Sequence, residues 1–287
     1  MINKRYIFTV VAGRSGQGYL TELFNRHVEG CYAAFEEPEI KPILSGPLSH
    51  YEKKFRRRFI ETHELLGRGK ILDAFETHNY NFINKIAKKR LHKINKSLKR
   101  NNAKVYIDVS KYFIRGLHIG FTNLLPEISV ISLIRDPIKN MRSFLNRNKN
   151  FFLDNSHPIK KSNILIMDSK NWEKGEYYLW AWCEVYLRNK RLINNPKIHN
   201  HVEIRTELLN DCDFMNSALD KLDLFYTPVQ NYKPINTNFD QGYSKTNVKK
   251  SDILLFEKFI NNMPEQILSE IDYLKDYDPI GALHGNG

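Results

Sequence analysis

The chain has 287 residues, 41% of them apolar, enough to bury one substantial core at the upper end of single-domain length. A formal charge of +12 attracts anions over a broad surface, without choosing among nucleic acid, membrane phosphates and a multiply charged small ligand. Cys31, Cys183 and Cys212 are odd in number and form no CxxC pair, which argues against a disulfide framework and a zinc site and for a reduced compartment. The apolar run after Met1-Ile2-Asn3-Lys4-Arg5 meets Gly13-Arg14 too soon for a signal peptide or a membrane span, so a cytoplasmic protein is expected.

Tyr6 to Val11 is β-branched and aromatic, and after Gly13 the residues Leu20, Leu23, Phe24 and His27 recur at helical spacing. This predicts strand, glycine-rich turn, helix. A second strand is expected at Cys31 to Phe35. Basic segments at Lys53 to Arg58 and Lys85 to Arg100 read as solvated helix faces within an insertion of about residues 50–100. Lys104 to Val109 is a third strand candidate. Ile128 to Ile134 has a buried-strand pattern and runs into Asp136-Pro137, an N-cap and first helical residue, with Ile138, Met141, Phe144 and Leu145 on one face. Trp172 to Ile193 is a long helix and His201 to Arg205 a strand. A helical cap over Lys250 to Leu274 is broken near Asn262-Met263-Pro264, because proline removes a donor and clashes with the preceding turn.

Strands alternating with helices, without an internal repeat or linker, predict one α/β domain over residues 1–287 with a mainly parallel sheet covered on both faces. Ligands of such sheets bind at the carboxyl ends of the strands, where Gly13–Gly18 and Arg135 fall.

The loop Gly13-Arg14-Ser15-Gly16-Gln17-Gly18 joins strand to helix, so its N–H groups and the helix N-terminus can cradle an anion; an ordinary glycine-rich turn is the alternative. A nucleotide-triphosphate loop would place Lys and Ser or Thr after the last glycine, where Tyr19 and Leu20 stand, and this disfavours a kinase or ATPase. Arg135 ends its strand, and Asp136, Lys139, Ser143 and Arg147 recur along one helical face that can present a guanidinium and a hydroxyl to one phosphate. A carboxylate-paired Arg135 beside a solvated Ser143 is the alternative.

Together the two loops resemble the sulfotransferase superfamily, which takes the sulfuryl group from 3'-phosphoadenosine 5'-phosphosulfate (PAPS). Its Gly-Arg-Ser-Gly-Thr-Thr motif stands here as Gly13 to Gly18, with Gln17 and Gly18 in place of the threonines. Its Arg-Asp-Pro with a following Ser stands as Arg135-Asp136-Pro137 with Ser143. Tyr106 to Phe113 is similar to the Phe-Glu-Lys-Ser-x-x-Tyr-Phe segment of glycan N-sulfotransferases, and Glu203 to Leu209 to the family strand ending in Arg-Tyr-Glu-Asp-Leu. Gly242-Tyr243-Ser244-Lys245 takes the place of the basic loop that closes over the nucleotide.

The resemblance implies a single P-loop-like, three-layer domain that binds PAPS and releases adenosine 3',5'-bisphosphate, with no metal. Arg14, Ser15, Gly16, Gln17 and Gly18, followed by Tyr19, would take the 5'-phosphosulfate, Arg14 also stabilising the leaving group. Arg135 and Ser143 would hold the 3'-phosphate, and Lys245 would close over the nucleotide. The acceptor it implies is a hydroxyl, or an amine, of a carbohydrate or glycolipid, and no nucleic-acid partner is expected. Two carboxylates compete as base. Asp108 matches the glutamate of the N-sulfotransferase segment and ranks first, with a capping or salt-bridged carboxylate as its alternative role. Glu37, in Phe35-Glu36-Glu37-Pro38, resembles the Glu-Pro of bacterial carbohydrate sulfotransferases. His63 and His118 read as solvated or structural, and Trp172, Trp180 and Trp182 mainly as core at their helical spacing. The rival readings are a non-catalytic anion- or nucleic-acid-binding protein, on Arg56-Arg57-Arg58 and on Lys88-Lys89-Arg90 with Lys96, Lys99 and Arg100, and a nucleotide-dependent phosphotransferase.

Overall fold

The computed structural model describes residues 4–38, 43–46, 48–49, 51–52, 55, 63–147, 157–230 and 247–284. Strands β1 (Arg5–Val10), β2 (Cys31–Phe35), β3 (Val105–Val109), β4 (Ile128–Ile134) and β5 (Ile198–Arg205) form one sheet in the order β2-β3-β1-β4-β5, every neighbouring pair parallel. The helices are α1 (Gln17–His27), α2 (His63–Leu66), α3 (Lys70–Glu76), α4 (Tyr80–Arg100), α5 (Leu117–Leu124), α6 (Pro137–Leu145), α7 (Lys174–Ile193), α8 (Cys212–Lys221), α9 (Lys250–Asn261), α10 (Glu265–Leu268) and α11 (Gly281–His284).

The period of two along β1 divides the core. Ile7 and Val11 pack with Leu20, Leu23 and Phe24 of α1 and Met215 of α8, whereas Phe8 and Val10 enter a second cluster with Ile83, Ala87 and Ile94 of α4 and Phe121 of α5. The Phe8 ring stacks on Phe113 with centroids 4.4 Å apart. Strands β3 and β4 are buried at every position, as a parallel sheet covered on both faces requires. A third cluster joins Met141 of α6 and Trp180 of α7 to Phe256 and Phe259 of α9.

The predicted elements that fall on described residues are present with small shifts, and the basic segment Lys53 to Arg58 lies outside them apart from Phe55. Strand β5 begins at Ile198 rather than His201, because Ile198 pairs with Ile128 across an irregularity in register that an alternating pattern cannot reveal. Helix α7 starts at Lys174, where Glu173 and Glu176 form a reciprocal capping box. Pro264 separates α9 from α10, as its missing donor demands. Arg56-Arg57-Arg58 and Lys245 lie outside the described residues. Among the described residues no helix is long and apolar enough to cross a membrane.

This strand order places the site. The chain leaves β1 toward β2 on one side and leaves β4 toward β5 on the other, so a crevice opens between the carboxyl ends of these two adjacent strands. The loops at Gly13 and Arg135 flank it.

Close packing of α4 on α5 depends on Gly120, where a Cβ would lie 2.5 Å from Ala87 Cβ. Gly120→Val is expected to destabilise the fold by about 1–3 kcal/mol through overpacking, read as a lower denaturation midpoint at unchanged m-value.

Candidate active site

After β1 the chain enters a run of left-handed backbone, with φ of 101° at Gly13, 57° at Arg14 and 80° at Gly16. Glycine tolerates this conformation; Arg14 does so at a cost that its surroundings must offset. Asn140 Nδ2 donates to the Gly13 carbonyl at 2.6 Å, Arg135 Nη1 to the Arg14 carbonyl at 2.7 Å, and Thr206 Oγ1 to the Ser15 carbonyl at 3.1 Å. A trans peptide sends its N–H opposite to its C=O, so the N–H groups of Arg14, Ser15 and Gly16 face away from those donors, in the manner of an anion-binding nest. Helix α1 starts at once behind them, with no side-chain cap and no acid in its first turn, which leaves its positive end open to an anion. Gln17, 7% exposed, adds an Nε2 that is buried without a hydrogen-bond partner. A buried unmet donor is costly. At Gly16 a Cβ would stand 2.5 Å from Leu209 Cδ1, the end of a side chain that can shift, so it is the φ of 80° that calls for glycine there.

Tyr19 departs from its expected role. Its ring lies in the core beside Leu20 and Leu23, and its hydroxyl donates to the Leu209 carbonyl at 2.6 Å, so it anchors the turn after β5 instead of facing a ligand.

The second loop is tied to the first. Asp136 caps α6 by accepting from the Lys139 N–H at 2.8 Å, and its other oxygen accepts from the Tyr277 hydroxyl at 2.7 Å. Trp182 Nε1 donates to the Arg135 carbonyl at 2.8 Å. Burial lowers the pKa of the Arg135 guanidinium, while Glu207 and Asp136 act to raise it. Ser143 accepts from Arg14 Nε at 3.2 Å, which brings the two predicted ligands together across the loops. A small cavity of about 20 Å³, lined by Ser15, Arg135, Trp182 and Tyr186 among others, lies between the strand ends.

Asn140 and Thr206 were not among the residues singled out from the sequence. Asn140 had a legible signal: it stands four residues after Asp136 and three before Ser143, on their side of the helix, and is wholly buried. Thr206 had none, since its contacts with Ser15 and Ile134 cross the fold. Lys111 is a further addition, its stem within 3.1 Å of a Cβ built at Gly13. Lys111, Arg68 and Arg115 each hold a charged head within 5.0 to 5.3 Å of the Tyr112 ring centre.

The two carboxylates are placed very differently. Asp108 is 0% exposed, and its Oδ2 accepts from Arg90 Nη2 at 2.5 Å. Arg90, itself 1% exposed, also donates to the Leu66 and Glu37 carbonyls. Burial pushes the Asp108 pKa up to about 6, against the pull of Arg90, with Glu36 and Glu37 adding to the rise. This is the salt-bridged alternative for Asp108, and a sealed carboxylate cannot reach an acceptor hydroxyl; Arg90 likewise leaves the surface cluster in which it was counted. Glu37 is half-buried, accepts from the Tyr32 hydroxyl at 2.7 Å through Oε2, and shows no bond at Oε1 among the described residues. Neither carboxylate bonds to Arg14, Arg135 or Ser143. His118 is structural: its half-buried ring packs against Phe75 and Phe113, and desolvation lowers its pKa to about 3.

Because Asp108 compensates a buried guanidinium, Asp108→Ala is expected to cost about 3–5 kcal/mol in thermal or chemical unfolding, and Arg90→Met combined with Asp108→Leu to recover most of it. The raised pKa carries a sign: the native state holds the Asp108 proton more tightly than the unfolded chain, so this group's contribution to stability falls as pH rises through about 6. The apolar double variant removes that component from the stability–pH profile.

No family model matches the chain, and no curated protein matches it. Among solved structures it is similar to the sulfotransferase domain from the curacin biosynthetic pathway, at 14% identity and a TM-score of 0.48 over 95% of this chain and 99% of that one. It is also similar to the sulfotransferase domain from the Synechococcus PCC 7002 olefin synthase, at 15% identity and a TM-score of 0.44 over 91% and 96%.

Proposed function

We propose that this chain is a PAPS-dependent sulfotransferase acting on a hydroxyl of a carbohydrate or glycolipid. The observation that carries the reading is the fastening of the two loops into one positive, concave site: Arg135 holds the Arg14 carbonyl while Arg14 reaches Ser143, in front of an uncapped helix N-terminus.

In this reading the N–H groups of Arg14 to Gly16, the start of α1 and the Gln17 amide hold the 5'-phosphosulfate. The unmet Gln17 donor supports its standing in for the threonine hydroxyls of the family motif. Arg135 and Ser143 hold the 3'-phosphate, whose charge-assisted bonds distinguish PAPS from ATP. Lys245, outside the described residues, would close over the nucleotide. The acceptor oxygen attacks sulfur in line, the bond from sulfur to the bridging phosphate oxygen breaks, and negative charge gathers on the leaving bisphosphate beside Arg14 and Lys111. The proton released by the acceptor passes to Glu37, which takes the base role from the sealed Asp108.

Adenosine 3',5'-bisphosphate is expected to raise the melting temperature selectively over ATP and AMP, by the equivalent of about 2.7 kcal/mol at a hundred times its dissociation constant. Arg135→Ala should weaken its binding by roughly tenfold or more, as loss of a charge-assisted bond implies. An equal shift with ATP would sink the PAPS assignment. Glu37→Gln should lower turnover by about a hundredfold or more while leaving bisphosphate binding unchanged; full turnover in that variant would remove Glu37 as base.

A further inference from the structure

We infer that Tyr277 is a positioning residue of the candidate site: by holding the Asp136 carboxylate it keeps the Arg135 guanidinium open to an anion. The half-buried Arg135 has two carboxylates, Glu207 and Asp136, near enough to act on its charge. A guanidinium partly withdrawn from water ordinarily closes on such a group. Arg135 does not: among the described residues it has no ion pair, and its Nη1 donates to the Arg14 carbonyl instead. Other donors hold both carboxylates. Glu207 Oε1 accepts from the Asp136 N–H at 3.3 Å, Asp136 Oδ1 from the Lys139 N–H at 2.8 Å, and Asp136 Oδ2 from the Tyr277 hydroxyl at 2.7 Å.

Two of these donors are backbone N–H groups at the start of α6, which the helix supplies wherever it begins. The third is a side chain 141 residues away. The half-buried Tyr277 ring is held edge to face against Phe256 of α9, with centroids 5.3 Å apart, and against Tyr273 at 5.9 Å. Burial, and then the charge of Asp136, push the Tyr277 pKa up, so the hydroxyl remains a neutral donor. Without that hydroxyl, Oδ2 has one donor fewer and a guanidinium close by. Attraction between opposite charges in a partly buried site draws the two together, and an incoming anion then has to displace an internal partner. Joined to the sulfuryl-transfer reading, on which this last step rests, the anion is the 3'-phosphate and Tyr277 sets the affinity for it.

The test is titration calorimetry of the full chain with adenosine 3',5'-bisphosphate and, separately, with inorganic pyrophosphate. Tyr277→Phe, which keeps the ring and removes the hydroxyl, should weaken binding of both probes about tenfold. Adding Asp136→Asn to that variant should restore most of the loss, because asparagine still caps α6 but offers Arg135 no charge. In an Arg135→Ala background the Tyr277→Phe effect should vanish. Undiminished affinity in Tyr277→Phe, a loss that Asp136→Asn does not restore, or a loss that persists without Arg135 overturns the inference; the last two are what a merely structural role of Tyr277 gives. Bisphosphate binding no tighter than ATP binding in the unaltered chain counts against the PAPS assignment alone, since pyrophosphate still reports on Arg135. Binding of neither probe overturns both readings.

Discussion

Three consecutive backbone carbonyls, those of Gly13, Arg14 and Ser15, each accept a hydrogen bond from a side chain far away in the chain. The candidate site depends on this constraint. A loop with three glycines among six residues has many conformations open to it, and the donors from Asn140, Arg135 and Thr206 select the one whose N–H groups line up with the start of α1. The parallel pairing of Val10 with Ser132 brings the two strand ends side by side and makes the fastening possible. The donors act from buried or half-buried positions, where a bond given up is not replaced by water, which is how Arg14 is kept in a conformation that side chains disfavour.

Positive charge is then divided between two uses. Arg14, Arg135 and Lys111 gather at the two loops, around backbone that is itself positive. Arg90 has the opposite role: it is withdrawn from water, bonds to Asp108 and two carbonyls through its terminal nitrogens, and locks α4 to the sheet. A buried pair of this kind holds position more than it adds stability, since both charges have been taken out of water. The carboxylate at the end of β3 is therefore sealed within the architecture, its Oδ1 buried without a hydrogen-bond partner, whereas Glu37 at the end of β2 is half-buried.

The fold and both loops were legible in the sequence because they follow from short-range physics. Alternation of apolar residues, Asp136-Pro137 at a helix start, Pro264 at a break and the glycines at Gly13 and Gly16 constrain their own neighbourhoods, wherever the rest of the chain goes. Arg14, Ser15, Arg135 and Ser143 were named from such patterns, and the structure brings them together.

Which polar residue meets which, and which is shut away from water, is decided between elements distant in the chain. Asp108 and Arg90 are eighteen residues apart on different elements, and only the packing of α4 against β3 turned a plausible base into a buried ion pair. Tyr19 sat in the motif by position, yet helical geometry turned it into the core toward Leu209. Thr206 gave no sign of its bond to Ser15 until β5 was laid beside β4. By itself the sequence determined the elements, their parallel order of build and the loop chemistry, since these are properties of neighbouring residues; the tertiary structure alone decided burial and partnership, because both depend on what the rest of the chain packs against each group.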